Sequence, residues 1–357
     1  MDYMDSYKEL IIRDNLPLKE AMRALDNTAM KVLFVVDHKG VFVGSLTDGD
    51  IRRWILKGGA LKGTSDQVAF KNAYVVSSPY NLDTIKDEMK ERNVEIVPVL
   101  DETKHIVEML YYERLFQNPL KKKSFSKLDI PVVIMAGGRG TRLDPFTRIL
   151  PKPLIPIGEK TILEIIIDKF IPYGVNHFYL SVNYKAAIIK SYFEDLQSEY
   201  TVEYIEESKP LGTAGALFQL QGKFETPVLV TNCDIIIEAD YADLAKHHYQ
   251  EDNDITIVAS IKHYSIPYGV CEIENGGTLK QINEKPEYSF LINTGMYILS
   301  PTVLNMIPQN EFFHITHLVE KLRKEGRKVG IYPISENAWV DTGEWEEYKK
   351  AIGKLNL

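Results

Sequence analysis

Cysteine is almost missing from this sequence: Cys233 and Cys271 are the only two, and neither has companions at zinc-ligand spacing. That excludes a disulfide-stapled secreted scaffold and a structural zinc site, and it fits a reducing compartment. No uninterrupted apolar run reaches the ~18 residues a bilayer-spanning helix needs, so no membrane insertion is expected. The start, MDYMDSYKEL, is acidic and polar where a secretion signal would be basic and then apolar. These absences together predict a cytoplasmic protein. Positive charge is in deficit too. A formal net charge of −8 argues against nucleic acid or an anionic membrane as partner, leaving room only for a local basic pocket. Lys121 to Lys123 lack aromatic interleaving and read as a solvated run. His247, His248, His314 and His317 form no carboxylate-supported metal pattern and read as structural.

What is present centres on Ile130 to Pro153. A short apolar run, Val132 to Met135, predicts a buried strand that opens onto Gly137, Gly138, Arg139, Gly140 and Thr141. Glycines at such a bend let several backbone N–H groups converge on an anion. The loop is not a P-loop, because Gly140 is followed by Thr141 and Arg142 rather than Lys-Ser or Lys-Thr. A dinucleotide fingerprint fails as well, with Leu143 where a third glycine or alanine belongs. Alone, the loop is equally a tight strand-to-helix turn.

The whole string from Ala136 to Ile157, AGGRGTRLDPFTRILPKPLIPI, resembles the signature of the sugar-1-phosphate nucleotidyltransferases. The resemblance implies a nucleoside triphosphate over Ala136, Gly137, Gly138, Gly140 and Thr141, with Arg142 and Lys152 as the catalytic cations near the phosphates. It also implies Mg²⁺ held by Asp234, after the apolar run PVLVTNC, and by Asp341 in WVDTGEW. Gly212 and Thr213 in LGTAGAL fall on the nucleobase pocket. On the sugar-phosphate side the matching positions are Gly269 in PYGV, Glu284 and Lys285 in NEKPE, and Asn293 and Thr294 in INTG. Taken singly, either aspartate reads equally as a helix cap, and Glu284 with Lys285 as an exposed hairpin pair.

Length, with 45% hydrophobic and 26% charged residues, predicts two globular domains. The first 120 residues read as one unit repeated at a period of 64: LKEAMRALDNTAM then VLFVVD, against LDTIKDEMKERNV then IVPVLD. Each copy continues into a second strand and a helix. The two halves resemble a tandem pair of cystathionine-β-synthase (CBS) motifs. By that resemblance Thr47 and Asp50 of GSLTDGDI would hold the ribose of an adenine nucleotide. Tyr111 and Arg114 replace them in the second copy, leaving at most one ligand site. The plainer reading is that Asp50 caps the following helix and that the module serves to form a homo-oligomer. Residues 121–129, rich in lysine and serine, read as an exposed linker.

From Ile130 strands and helices alternate, which predicts an α/β fold with a mostly parallel sheet. The resemblance makes it a Rossmann-like nucleotidyltransferase sandwich over 130–357, preceded by the CBS module over 1–120. Ligands bind such sheets at the carboxyl ends of the strands. An antiparallel addition is expected as a lid over the sugar. No hexapeptide repeat follows the last helix, so an appended acyltransferase is not expected. A CBS pair ahead of a short transferase resembles bacterial guanylyltransferases of surface-sugar pathways, including glucosamine-1-phosphate guanylyltransferases of legionaminic acid synthesis. The implied substrates are GTP and glucosamine-1-phosphate. The alternatives are mannose-1-phosphate with GTP, glucose-1-phosphate with dTTP or UTP, and a non-catalytic regulator on the same fold.

Overall fold

The computed structural model describes residues 3–28, 31–92, 94–112, 115 and 125–354. The chain divides into two compact units, Met1–Lys123 and Ser124–Leu357. No helix among the described residues is long and apolar enough to cross a membrane.

In the first unit the repeat is visible strand by strand. β1 (Ile11–Arg13) pairs in parallel with β2 (Val32–Val36), which pairs antiparallel with β3 (Phe42–Thr47). β4 (Val76–Ser77), β5 (Ile96–Leu100) and β6 (Ile106–Tyr111) repeat that order and those directions. The registers coincide at the period of 64. Val32 faces Thr47 as Ile96 faces Tyr111, and a bulge between Val35 and Val36 recurs between Val99 and Leu100. The hairpin turns are copies as well. Asp37 Oδ1 accepts from the N–H of Lys39 at 2.8 Å and of Val41 at 2.9 Å. Asp101 Oδ1 accepts from Thr103 at 2.9 Å and His105 at 2.8 Å. Phe34 of the first copy joins Ile96 and Met109 of the second in one buried cluster, while Ile85, Met89, Val97, Val99 and Leu110 form a core within the second copy.

Thr47 and Asp50 form a capping box on the helix Asp48–Leu56: Asp50 Oδ2 accepts from the Thr47 N–H at 2.9 Å and its hydroxyl at 2.6 Å. Arg53 donates to Asp50 Oδ1 at 2.6 Å. The carboxylate expected to meet a ribose is thus engaged on both oxygens. Arg114 and most of the second copy's closing helix lie outside the described residues.

The second unit is built on a seven-stranded sheet. β7 (Val132–Met135) has β10 (His177–Val182) and then β11 (Thr201–Glu206) on one side, and β12 (Val228–Asn232) on the other. Beyond β12 come β17 (Glu287–Leu299), β14 (Ile255–Ser265) and β18 (Val329–Ile334). Only β17 runs against the rest, so the sheet is mostly parallel as expected. β7 reads as a continuous apolar run because both its faces are covered. Val132 and Ile134 enter a core with Phe170, Phe178 and Tyr241, while Val133 and Met135 enter another with Leu217, Leu318 and Leu322. Each layer comes from helices the strand spacing leads to, for example Ile162–Phe170 below and Ile315–Lys324 above.

Helix Ile162–Phe170 starts at a Thr161–Glu164 capping box and stops through Pro172 into Gly174 at φ +80°. The LGTAGAL turn feeds a 3₁₀ helix, Gly215–Leu220, rather than an α-helix. A Cβ on Gly212 would lie 2.8 Å from the Phe313 carbonyl and one on Gly215 2.7 Å from the Glu311 carbonyl, so both glycines sit close against that backbone. Short ribbons complete the unit: β8 (Pro156–Ile157) with β9 (Lys160–Thr161), β13 (Ile235–Ile237) with β19 (Trp339–Asp341), and β15 (Val270–Ile273) with β16 (Leu279–Asn283). Residues 125–129, read as the end of the linker, belong to this unit instead. Phe125 packs on Tyr173 at 4.6 Å between ring centroids, and Leu128 is buried with its N–H on the Tyr173 carbonyl at 3.0 Å.

The copied turns carry a pH signature. The carboxyls of Asp37 and Asp101 lie below their ordinary range, chiefly through the N–H groups of Val41 and His105. A group depressed on folding stabilises above its unfolded pKa and loses that contribution as pH falls through the folded value. The double variant Asp37→Asn with Asp101→Asn should therefore lower the melting temperature at neutral pH. The gap from the parent should narrow as pH falls below the ordinary aspartate range and through the depressed folded values, as thermal melts across that range will show.

Candidate active site

The glycine loop leaves β7 with Ala136 fully buried and its N–H on the Ser181 carbonyl at 2.8 Å. A Cβ on Gly137 would lie 2.6 Å from Glu207 Oε1. Gly140 has φ +67°, and a Cβ there would lie 2.8 Å from Lys152 Cβ and 2.9 Å from Thr147 Cγ2. At Gly140 glycine is favoured by both backbone conformation and close approach, whereas at Gly137 a side chain would have to displace the end of Glu207. Gly138 faces open space, and with Arg139 and Thr141 it forms the exposed upper side of the bend. Leu143, 1% exposed, anchors the turn below.

Lys152 begins the 3₁₀ turn Lys152–Leu154 between Pro151 and Pro153 and is only 6% exposed. Its Nζ lies 2.5 Å from Asp234 Oδ2. Asp234 follows β12 at the head of β13, and β13 pairs antiparallel with β19 so that Ile235 faces Asp341. That ribbon brings together two aspartates far apart in sequence. Thr342, fully buried, locks it: its N–H and hydroxyl both donate to the Asp234 carbonyl, at 2.8 and 2.9 Å. Asp341 Oδ1 accepts from the Gly343 N–H at 2.7 Å. A Cβ on Gly343 would lie 2.8 Å from Asp341 Oδ1, 2.9 Å from Asp234 Oδ2 and 3.0 Å from Lys152 Nζ, so the three groups converge on one point.

Arg142 extends to the same place. One guanidinium nitrogen is 3.8 Å from Asp234 Oδ2, and another donates to Glu344 Oε1 at 2.9 Å. Trp345 beside Glu344 donates from Nε1 to the Asp144 carbonyl at 3.2 Å and sets its ring edge against Phe146 at 5.0 Å. Tyr348 donates its hydroxyl to the Pro156 carbonyl. The last helix, Trp345–Lys354, thereby grips the arginine-bearing segment.

Burial raises the Asp341 carboxyl above its ordinary pKa, and the Asp234 charge adds to the rise while Lys152 and Arg142 oppose it. Two close, partly buried carboxylates with oxygen-only donors suit a hard divalent cation that keeps water or phosphate in its remaining positions. Among the described residues no group of three or more His, Cys, Asp or Glu could hold a metal by itself. Two carboxylates leave room in such an ion's shell for water or phosphate oxygens.

Gly212, at φ +81°, and Thr213 lie against His314. The Thr213 hydroxyl is 3.3 Å from His314 Nδ1 and accepts from the Ile315 N–H at 3.1 Å. On the sugar-side positions, a Cβ on Gly269 would lie 2.8 Å from Glu284 Oε2, so these two are neighbours. Lys285 follows at φ +45° and is exposed. Asn293 donates to the Tyr297 hydroxyl at 2.8 Å. Thr294 is 3% exposed and donates to the Val258 carbonyl at 2.8 Å, which turns its side chain into the β14 and β17 bulge.

The nucleotidyl transferase family model matches residues 131–356, the span that carries all of this geometry. The chain belongs to that family. A CBS domain model matches residues 2–57, the first copy of the repeat. Among curated relatives, the mannose-1-phosphate guanyltransferase of Debaryomyces hansenii is 31% identical over 226 residues, which is 60% of this chain and 62% of that protein. The enzyme of the same name from Schizosaccharomyces pombe is 34% identical over 225 residues, 60% of this chain and 61% of that one. This chain thus spans about 62% of the length of the curated relatives it matches. Among solved structures, HddC from Yersinia pseudotuberculosis is 30% identical with a TM-score of 0.50, covering 63% of this chain and 99% of its own.

Several site neighbours carry no local sequence signal. Glu207 sits behind Gly137, taking the Ser181 hydroxyl at 2.7 Å and the Leu211 N–H at 3.0 Å. Glu344 and Gly343 stood in the quoted WVDTGEW string, beside Asp341, without being singled out. The convergence at Gly343 makes a direct test. Gly343→Ala places a methyl among three flexible side-chain ends, which can move apart without unfolding the sheet. Calorimetry should show Mg²⁺-dependent nucleotide affinity falling at least about tenfold with the melting temperature held. Unchanged affinity would contradict the convergence.

Proposed function

We propose that the second unit transfers a nucleoside monophosphate from a nucleoside triphosphate to a sugar-1-phosphate and releases pyrophosphate. The observation that carries this is the meeting of Lys152, Asp234 and Asp341 within 3.0 Å of a common point beside the glycine bend. A sugar-phosphate oxygen attacks the α-phosphorus, a new P–O bond forms, and the bond to the β-phosphate oxygen breaks. Both reactants are anions, so the protein has mainly to neutralise charge and align the attacking and leaving oxygens. No side-chain nucleophile is needed.

In this reading Lys152 meets the α-phosphate, held rigid by its flanking prolines, and Arg142 meets the departing pyrophosphate with its planar fork. The N–H groups of Gly137 to Thr141 cradle the triphosphate. Asp234 and Asp341 would hold Mg²⁺, which when bound supplies the positive charge that offsets the phosphate oxygens. Gly212 and Thr213 face the base. Glu284 and Gly269 approach the sugar, with Lys285 and Asn293 nearby in the chain.

Guanine is favoured because the relatives are named guanyltransferases. For the sugar, those names favour mannose-1-phosphate, whereas a CBS module ahead of the transferase favours glucosamine-1-phosphate in surface-glycan or nonulosonate synthesis. Residues 1–120 act as a regulatory module with one adenine-nucleotide site at Thr47 and Asp50, and as the oligomerisation element of a cytoplasmic enzyme. Ligand binding at Asp50 requires the Arg53 contact to yield.

A pyrophosphate-release screen of four nucleoside triphosphates against several sugar-1-phosphates with Mg²⁺ tests the proposal. Turnover is expected with GTP, and the best sugar separates the two pathways. Asp234→Asn should cut kcat at least about 100-fold with the fold retained. Absence of turnover with every pair would favour a regulator on the same fold.

A further inference from the structure

We infer that Lys185 staples the far end of the glycine-rich loop and is a positioning residue for the phosphate cradle; its link to phosphate rests on the transferase reading above. Lys185 stands where it should be unwelcome. It has φ +55°, the left-handed region where a Cβ is crowded. It also occupies the N-cap of helix Ala186–Asp195 without making a cap hydrogen bond. A cation at the positive end of a helix is unfavourable, and lysine is a poor cap. Two local penalties at one residue call for compensation elsewhere.

The compensation lies across the site. Lys185 Nζ donates to the carbonyls of Thr147 at 3.2 Å, Arg148 at 2.6 Å and Ile149 at 2.8 Å. These carbonyls end the short 3₁₀ turn Phe146–Arg148, where backbone acceptors lose their partners within the helix. All three acceptors are neutral backbone carbonyls, so no carboxylate is used to hold Lys185 there. Thr147 is 2% exposed, and its methyl lies 2.9 Å from where a Cβ on Gly140 would stand. Gly140 in turn packs on the stem of Lys152. Tyr184, the preceding residue, donates its N–H to the Gly137 carbonyl at 3.4 Å. Two adjacent residues after β10 thus hold both ends of the loop, and the bend between them cannot shift without losing one contact.

The test uses the full chain with Lys185→Met, Lys185→Gly and Lys185→Arg. Hydrogen exchange should show amides of 138–150 opening about tenfold faster in the Met and Gly variants, while the other strands of the sheet stay protected. Lys185→Gly, relieved of left-handed strain, should melt no lower than Lys185→Met. Lys185→Arg, which keeps N–H donors, should recover much of the protection. KM for the nucleoside triphosphate should rise about tenfold in the Met variant with kcat within about threefold. Unchanged loop exchange, or faster exchange spread evenly over the sheet, overturns the staple. Faster loop exchange with unchanged KM overturns its role in the cradle. If the parent turns over no nucleotide at all, the transferase reading falls, and the exchange result still decides whether the staple exists.

Discussion

The contact between Lys152 and Asp234 sets the terms for everything around it. A lysine 6% exposed must have a partner, because an unpaired buried charge costs several kcal/mol. Satisfying it requires Asp234 at a fixed place, and that place is set by a two-stranded ribbon drawing the end of β12 against a strand more than a hundred residues later. The ribbon then delivers Asp341 and Gly343 to the same point. A pair of this kind adds little net stability against an apolar substitute. Its value is positional: one cation and two carboxylates are held where a phosphate would arrive.

The glycine bend depends on that arrangement in turn. Gly140 rests on the Lys152 stem and on Thr147, and Gly137 rests on Glu207. Around them, Trp345 of the last helix holds the arginine-bearing segment at Asp144, and Tyr348 holds the Pro156 carbonyl. The sheet contributes the rigid base, because β7 is covered on both faces and its end cannot move freely. The first unit follows a different economy. Its two copies share registers, bulges and turns, and the cluster of Phe34, Ile96 and Met109 joins them through buried residues of both.

Much of this was legible in the sequence. The run Val132 to Met135 announced a buried strand, and the period of 64 announced the repeat. Arg142, Lys152, Asp234 and Asp341 were named from a motif, and they do lie together. Composition and spacing alone left each aspartate indistinguishable from a helix cap. Glu207, Lys185 and Glu344 stayed hidden because their contacts reach 26, 36 and 202 residues along the chain. No local pattern encodes such a reach. The glycine turn in LGTAGAL leads into a short helix of 3₁₀ type, Gly215–Leu220, with the backbone of 311–313 close against its glycines. Residues 125–129 look like linker by composition, and only Tyr173 reveals that Phe125 and Leu128 are anchors.

The most direct measurement is a crystal structure of the full chain with a non-hydrolysable GTP analogue and Mn²⁺, read by anomalous scattering. The account expects one manganese peak in contact with both Asp234 and Asp341, and phosphate oxygens on Lys152, Arg142 and the backbone of Gly137 to Thr141. A peak away from the β13 and β19 ribbon, or a triphosphate bound at another face of the sheet, would contradict it.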